Sequence, residues 1–181
     1  MVAAAGAALI SMVGRLTIGR ERFAEVEQRM REIVARADEE RSRFLELADR
    51  DAQVFEGYMT AFRMPRETEE QRSVRGAAIQ EASVAAADVP LEVARRAVDL
   101  MEVAAEAAAT GNPHAASDGV CAAACLHAAA HAALASVRIN AASMSDAATS
   151  SRYVAQADAL RDQADRVLAA AEAAFTGRLS S

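Results

Sequence analysis

The chain of 181 residues contains no lysine and no tryptophan, and it has only three prolines and two cysteines. Scarce proline leaves long helices uninterrupted. The two cysteines, Cys121 and Cys125, are too few for a disulfide framework, and their spacing places them on one helix. This cysteine usage is typical of a reducing compartment, so we expect a cytoplasmic protein.

Positive charge is also scarce. The chain has 20 basic and 26 acidic residues, which gives a formal net charge of −6. An acidic chain is a poor ligand for polyanions, so we expect neither nucleic acid nor a membrane surface among its partners. Residues 2–13 form an apolar run with no preceding basic stretch, and the run is shorter than the ~20 residues that span a bilayer. We interpret this run as a buried core helix.

Alanine is abundant, with 48 residues, and together with leucine, arginine and glutamate it is typical of long helices. Apolar residues recur at steps of three and four, which predicts amphipathic helices. The expected fold is all-α, a single domain (1–181) that forms an antiparallel bundle of five or six helices around a buried alanine-rich central helix. The predicted helices cover residues 2–13, 21–62, 67–87, 90–110, 117–144 and 146–175.

The central helix carries two cysteines and two histidines, the residue types that bind zinc. At about 100° per residue, Cys121 and Cys125 lie on one side of this helix, whereas His127 and His131 lie on the other. The four side chains cannot share one tetrahedral ion unless another helix or chain contributes. We therefore predict no metal site.

Asp118, Ser136 and Asn140 share the cysteine side of the central helix and form a polar stripe. Ser117 and Asp118 also fit ordinary capping at the start of a helix. A buried amide such as that of Asn140 needs hydrogen-bond partners, and a ligand could supply them. No serine lies in a nucleophile elbow, and the chain has no Walker loop or dinucleotide fingerprint.

Six segments in order give the chain a resemblance to the cyclodeaminase/cyclohydrolase family of folate enzymes. The segments are MVGRLTIGRERF (12–23), FRMPRET (62–68), VPL (89–91), GN (111–112), SD (117–118) and VRIN (137–140). This family includes the cyclodeaminase domain of formiminotransferase-cyclodeaminase and stand-alone methenyltetrahydrofolate cyclohydrolases. The resemblance implies an all-helical homodimer that binds a tetrahydrofolate derivative as substrate and holds no permanently bound cofactor or metal.

Two reactions belong to the family. A cyclodeaminase closes 5-formiminotetrahydrofolate to 5,10-methenyltetrahydrofolate and releases ammonia, and a cyclohydrolase opens the methenyl bridge to 10-formyltetrahydrofolate. Both reactions need proton transfer and stabilisation of an amidinium-like cation, which a carboxylate provides. The sequence does not separate the two reactions. An inactive helical bundle that dimerises or binds a partner is the alternative.

The resemblance also suggests roles for particular residues. Asp118 is the expected catalytic base and electrostatic partner of the cation. The expected substrate-binding residues are Thr17 and Asn112 at a polar rim, Ser136 and Asn140 at the pterin, and Arg20 and Arg66 at the glutamate tail.

Two departures from the family pattern bear on activity. Ser136 replaces a family asparagine, so one short hydroxyl stands in place of an amide. Family members begin the first helix after a Pro-x-Pro-Gly-Gly-Gly-Ser loop, whereas this sequence begins with Met1 inside that helix. Backbone N–H groups of such a loop can approach a substrate closely, so its loss would affect activity. Either the true start lies upstream and Met1 is an internal methionine, or the protein is a degenerate paralogue.

Overall fold

A computed structural model describes residues 1–179 of the chain. The described residues form five α-helices and two short 3-10 segments, with no strand among them. The helices are α1 (Val2–Arg15), α2 (Glu27–Phe62), α3 (Glu69–Thr110), α4 (Ala116–Ala142) and α5 (Ala147–Leu179). The 3-10 segments are Glu21–Val26 and Pro113–Ala115. The all-α prediction is confirmed.

Successive helices run antiparallel, as the polar contacts between them show. As the position advances along one helix, its partner moves back along the neighbouring helix; for example, Arg29 meets Glu106, whereas Arg43 meets Glu92. The pairs are Arg15 with Asp38, Arg29 with Glu106, Arg43 with Glu92, Asn140 with Ala86, and Arg138 with Asp158. The fold is therefore an up-and-down bundle.

α1 lies in the core, as the apolar run predicted. Ala7, Ile10 and Val13 are fully buried and belong to the main hydrophobic cluster, which α1 shares with α2, α3, α4 and α5. Small residues allow the helices to approach closely. A Cβ atom added at Gly119 of α4 would lie only 2.7 Å from the Cβ of Ala108 in α3, so a larger residue there would push the two helices apart.

The structure corrects the predicted break before Pro90. The segments 67–87 and 90–110 form one helix of 42 residues, α3, with Pro90 inside it. The side chain of Asn140 makes this possible, because it donates to the backbone carbonyl of Ala86, the group that the missing N–H of Pro90 leaves free.

The start of α3 is stabilised by a capping box formed by Thr68 and Gln71.

Burial of α4 is less complete than predicted. Its inner face, including Leu126, Leu134 and Val137, is buried. By length and composition the segment Pro113–Ala142 could cross a membrane, but it packs against α1, α3 and α5 in this fold. Its outer face carries a line of small and apolar residues, called the α4 stripe below. The exposed members of this stripe are Cys121, Ala124, Ala128, Ala132, Ala135 and Ile139.

Candidate active site

Two adjoining cavities lie beside the second half of α4. The first has a volume of about 320 Å³ and lies among α1, α2, α3 and α4. The second, of about 310 Å³, lies among α2, α3 and α4. Asp51 and Ser136 line both cavities, so the two adjoin at these residues. Together they have the size of a pocket for a small organic molecule.

The walls of the first cavity are largely apolar. They include Leu47, Val89, Pro90 and Ala132, and Asp51 contributes a carboxylate to these walls. A single charged group among apolar walls is the usual pattern of a ligand site, in which the apolar surface binds and the polar group orients the ligand.

Asp51 was not among the predicted site residues, although the sequence contains a signal for it. Phe44 and Leu47 are core residues of α2, and Asp51 follows them at steps of seven and four residues. These steps keep a side chain on the same face of a helix. Asp51 itself is exposed, so it lies at the edge of the cavity, and an acidic residue that continues the apolar stripe of a helix in this way is a candidate site residue.

Ser136 and Asn140, which were predicted to bind the pterin, both line the second cavity. The Ser136 hydroxyl donates to the Ala132 carbonyl at 3.4 Å. The Asn140 Nδ2 group donates to the Ala86 carbonyl at 2.7 Å. One N–H of this amide therefore has a protein acceptor on α3, so a ligand is not its only source of partners. A binding role for the two residues stays a prediction.

Thr17 and Asn112 meet at the opposite end of the bundle, where they hold the turn after α1 against the turn before α4. The fully buried Thr17 hydroxyl donates to the Val13 carbonyl and accepts from the Asn112 N–H, both at 2.9 Å. The Asn112 side chain donates to the Leu16 carbonyl at 3.2 Å and accepts from the His114 N–H at 3.1 Å. These bonds occupy the groups that were predicted to form a polar rim for the substrate.

Asp118 lies near that same end, half-buried in the first turn of α4. The structure starts α4 at Ala116 with no side-chain cap, so the capping role considered for Ser117 is not observed. Asp118 precedes Ser136 by eighteen positions on one helix, a separation of about 27 Å at ~1.5 Å per residue. A single chain therefore does not bring Asp118 to the cavities.

The two arginines predicted to bind the glutamate tail are also far apart. Arg20 precedes α2 and donates from Nε to the Leu16 carbonyl at 2.9 Å. Arg66 is exposed in the turn that follows α2. Since α2 spans about 54 Å at ~1.5 Å per residue, one ligand cannot contact both arginines of the same chain.

The described residues form an all-helical bundle with cavities between its helices. The model of the formiminotransferase-cyclodeaminase family matches residues 1–159. A methenyltetrahydrofolate cyclohydrolase from Methylorubrum extorquens is 34% identical over 164 residues, covering 89% of this chain and 77% of the relative. The chain thus belongs to the formiminotransferase-cyclodeaminase family, and the resemblance found in the sequence is confirmed.

Two further relatives differ in length from this chain. A formimidoyltransferase-cyclodeaminase from Sus scrofa is 38% identical over 110 residues, which are 61% of this chain but only 20% of that protein. The crystal structure of formiminotetrahydrofolate cyclodeaminase from Thermotoga maritima superposes with a TM-score of 0.85 at 28% identity. The superposition covers 98% of this chain and 85% of the Thermotoga chain.

Proposed function

We propose that the protein is a folate one-carbon enzyme that acts at the methenyl bridge of tetrahydrofolate. The reaction is either the hydrolysis of 5,10-methenyltetrahydrofolate to 10-formyltetrahydrofolate or the formation of the methenyl compound from 5-formiminotetrahydrofolate with release of ammonia. The observation that carries this proposal is the pair of adjoining cavities, which have apolar walls for a pterin and share Asp51 in their linings.

The chemistry explains why a carboxylate in this cavity matters. In the hydrolysis, water adds to the methenyl carbon and loses a proton, and N5 then takes up a proton. The bond between the carbon and N5 breaks, and the remaining hydroxyl loses its proton as the formyl C=O forms on N10. In the deamination, N10 attacks the formimino carbon and ammonia leaves. Both routes pass through positively charged groups flanked by nitrogen. Asp51 would stabilise that charge and carry protons between water and nitrogen.

A homodimer would join the two separated groups of predicted residues. The exposed α4 stripe is apolar and built from small side chains, which suits close packing against another helix. Ala128 lies midway between Asp118 and Arg138 in the sequence. Two α4 stripes packed antiparallel about a two-fold axis near Ala128 would therefore bring Asp118 of one subunit close to Ser136 of the partner subunit. We infer that Asp118 and Asp51 serve one site from different subunits.

The first experiment is a comparison of two assays on the purified protein. The loss of 5,10-methenyltetrahydrofolate is followed by absorbance and corrected for spontaneous hydrolysis, and ammonia release from 5-formiminotetrahydrofolate is followed separately. We expect an enzyme-dependent rate in one of them. If neither substrate is consumed faster than in buffer, the proposal fails and the inactive bundle remains.

The dimer is tested independently by the solution mass. We expect twice the chain mass of 19.1 kDa. Ala128→Glu places a charge on the α4 stripe and should yield monomers, whereas Ala173→Glu adds the same charge at an exposed position of α5 and should leave the mass unchanged. A monomeric wild-type protein would contradict the shared site.

A further inference from the structure

His127, His131 and Asp165 form a cluster on the side of α4 that faces α5. The two histidines are four residues apart on α4, so their rings lie on one face, with centroids 4.2 Å apart. The Nε2 atoms of His127 and His131 lie 2.7 Å and 3.0 Å from the same atom, Oδ1 of Asp165. One ligating atom from each of the three residues lies within 4.8 Å of the other two.

We propose that this cluster is a binding site for a divalent transition metal of the zinc class. Two imidazole nitrogens and one carboxylate oxygen are the donor set that Zn²⁺ accepts, with a water in the fourth position. The proposal differs from the expectation that the chain has no metal site. Helical geometry excluded an ion shared by the cysteines and histidines of one helix, whereas the third ligand of this cluster comes from α5.

The two nitrogen–oxygen spacings fit an ion after a small adjustment. Bond lengths of ~2.0–2.1 Å in a tetrahedral site place neighbouring ligand atoms about 3.3 Å apart. The two nitrogen–oxygen distances are 2.7 Å and 3.0 Å, because hydrogen bonds hold the atoms together. A zinc ion would replace the two Nε2 protons and widen these distances by roughly half an ångström, which single-bond rotations of these side chains can supply.

Exposure and charge both favour entry of a cation. The side chains of His127, His131 and Asp165 are 22%, 38% and 52% exposed, so an ion can reach the cluster from solvent and keep a water ligand. Asp165 places one carboxylate oxygen within 3.0 Å of both imidazole nitrogens, so the cluster offers an acidic ligand to a cation. The ion would bridge α4 and α5.

The test is a calorimetric titration of chelator-treated protein with zinc chloride. We expect saturable binding of one zinc per chain, and we expect Asp165→Asn, His127→Ala and His131→Ala each to weaken it by at least ~10-fold. The double variant Cys121→Ser with Cys125→Ser is the matched control, since thiols also bind zinc, and it should bind as the wild type does. Circular dichroism verifies that each variant is folded.

Three outcomes would overturn the proposal. The first is the absence of saturable binding by the wild-type protein. The second is unchanged affinity in Asp165→Asn, which would show that a bare histidine pair binds the ion without a third ligand. The third is loss of binding in the cysteine double variant, which would place the ion at Cys121 and Cys125.

Discussion

Asn140 supplies the hydrogen bond that Pro90 cannot make. Proline has no backbone N–H, so the carbonyl of Ala86, four residues earlier, has no partner within α3. The Asn140 side chain donates to this carbonyl from α4 at 2.7 Å. A residue of one helix therefore keeps the neighbouring helix continuous, at a position where both residues also line the cavities.

Loss of the Asn140 amide should destabilise the fold through this bond. Asn140→Ala leaves the Ala86 carbonyl without a protein partner, and we expect the free energy of unfolding in urea to fall by about 1–2 kcal/mol. Pro90→Ala restores the N–H inside α3, so Asn140→Ala should cost much less in that background. Equal costs in both backgrounds would show that the bond to Ala86 does not matter for stability.

Thr17 should behave as a structural residue. Thr17→Val keeps the shape of the side chain but removes the acceptor of the buried Asn112 N–H. We therefore expect the free energy of unfolding to fall by about 1–3 kcal/mol. Thr60→Val is the matched control, because the exposed Thr60 hydroxyl bonds only within its own helix, to the Glu56 carbonyl. A raised KM for folate with unchanged stability would instead support the substrate role predicted from the sequence.

Asp118 and Asp51 should both be needed for turnover. Asp118→Asn and Asp51→Asn each remove a carboxylate and should each lower the rate by at least ~100-fold without loss of the fold. The exposed Asp49 lies two residues from Asp51 on α2, and Asp49→Asn should leave the rate unchanged. If Asp118→Asn turns over substrate at the wild-type rate, Asp118 is not a catalytic residue and has only a structural role at the start of α4.

A mixing experiment tests whether the two carboxylates come from different subunits. When the Asp118→Asn and Asp51→Asn chains are unfolded together and refolded, half of the dimers contain one of each. Every mixed dimer then has one intact site, so about a quarter of the wild-type activity should return. Two inactive variants that show no recovery on mixing would contradict a shared site.

Acid should weaken the contact between α2 and α3 at Glu92. Burial opposes ionisation of Glu92, but hydrogen bonds from Arg43 and Arg96 outweigh it, so the pKa lies below the ordinary 4.5. A lowered pKa in the folded state means that the stabilisation is present above pH 4.5 and is lost as the pH falls through the folded value.

The corresponding variant is Glu92→Gln. Because the side chain of Glu92 is 28% exposed, we expect a loss of only about 1 kcal/mol at pH 7. Urea unfolding at several pH values should show the difference from the wild type shrinking below pH 4.5. Glu39→Gln, at an exposed position of α2, is the control and should show no such pH dependence.

Much of the architecture follows from local sequence. Alanine content and the three-four spacing of apolar residues determine the all-α class, because both act within a single helix. They also place α1 in the core and locate the ends of most helices to within a few residues. Pro90 is the exception, since the signal for a helix start is local and the bond that overrides it comes from Asn140, fifty positions later.

The residues of the candidate site could be predicted from the sequence less well than the helices, because their positions depend on tertiary structure. Asp118 and Ser136 share a face of α4 on a helical wheel. A helical wheel is a projection down the axis, so it does not show that the two residues are about 27 Å apart along the helix. Asp51 and Asp165 were identified as candidate site residues only from the structure, which shows α2 and α5 packed near α4. The sequence alone determined which residues form helices and which family the chain belongs to. Tertiary packing decided which side chains meet, because contacts between helices depend on the register of one helix against another.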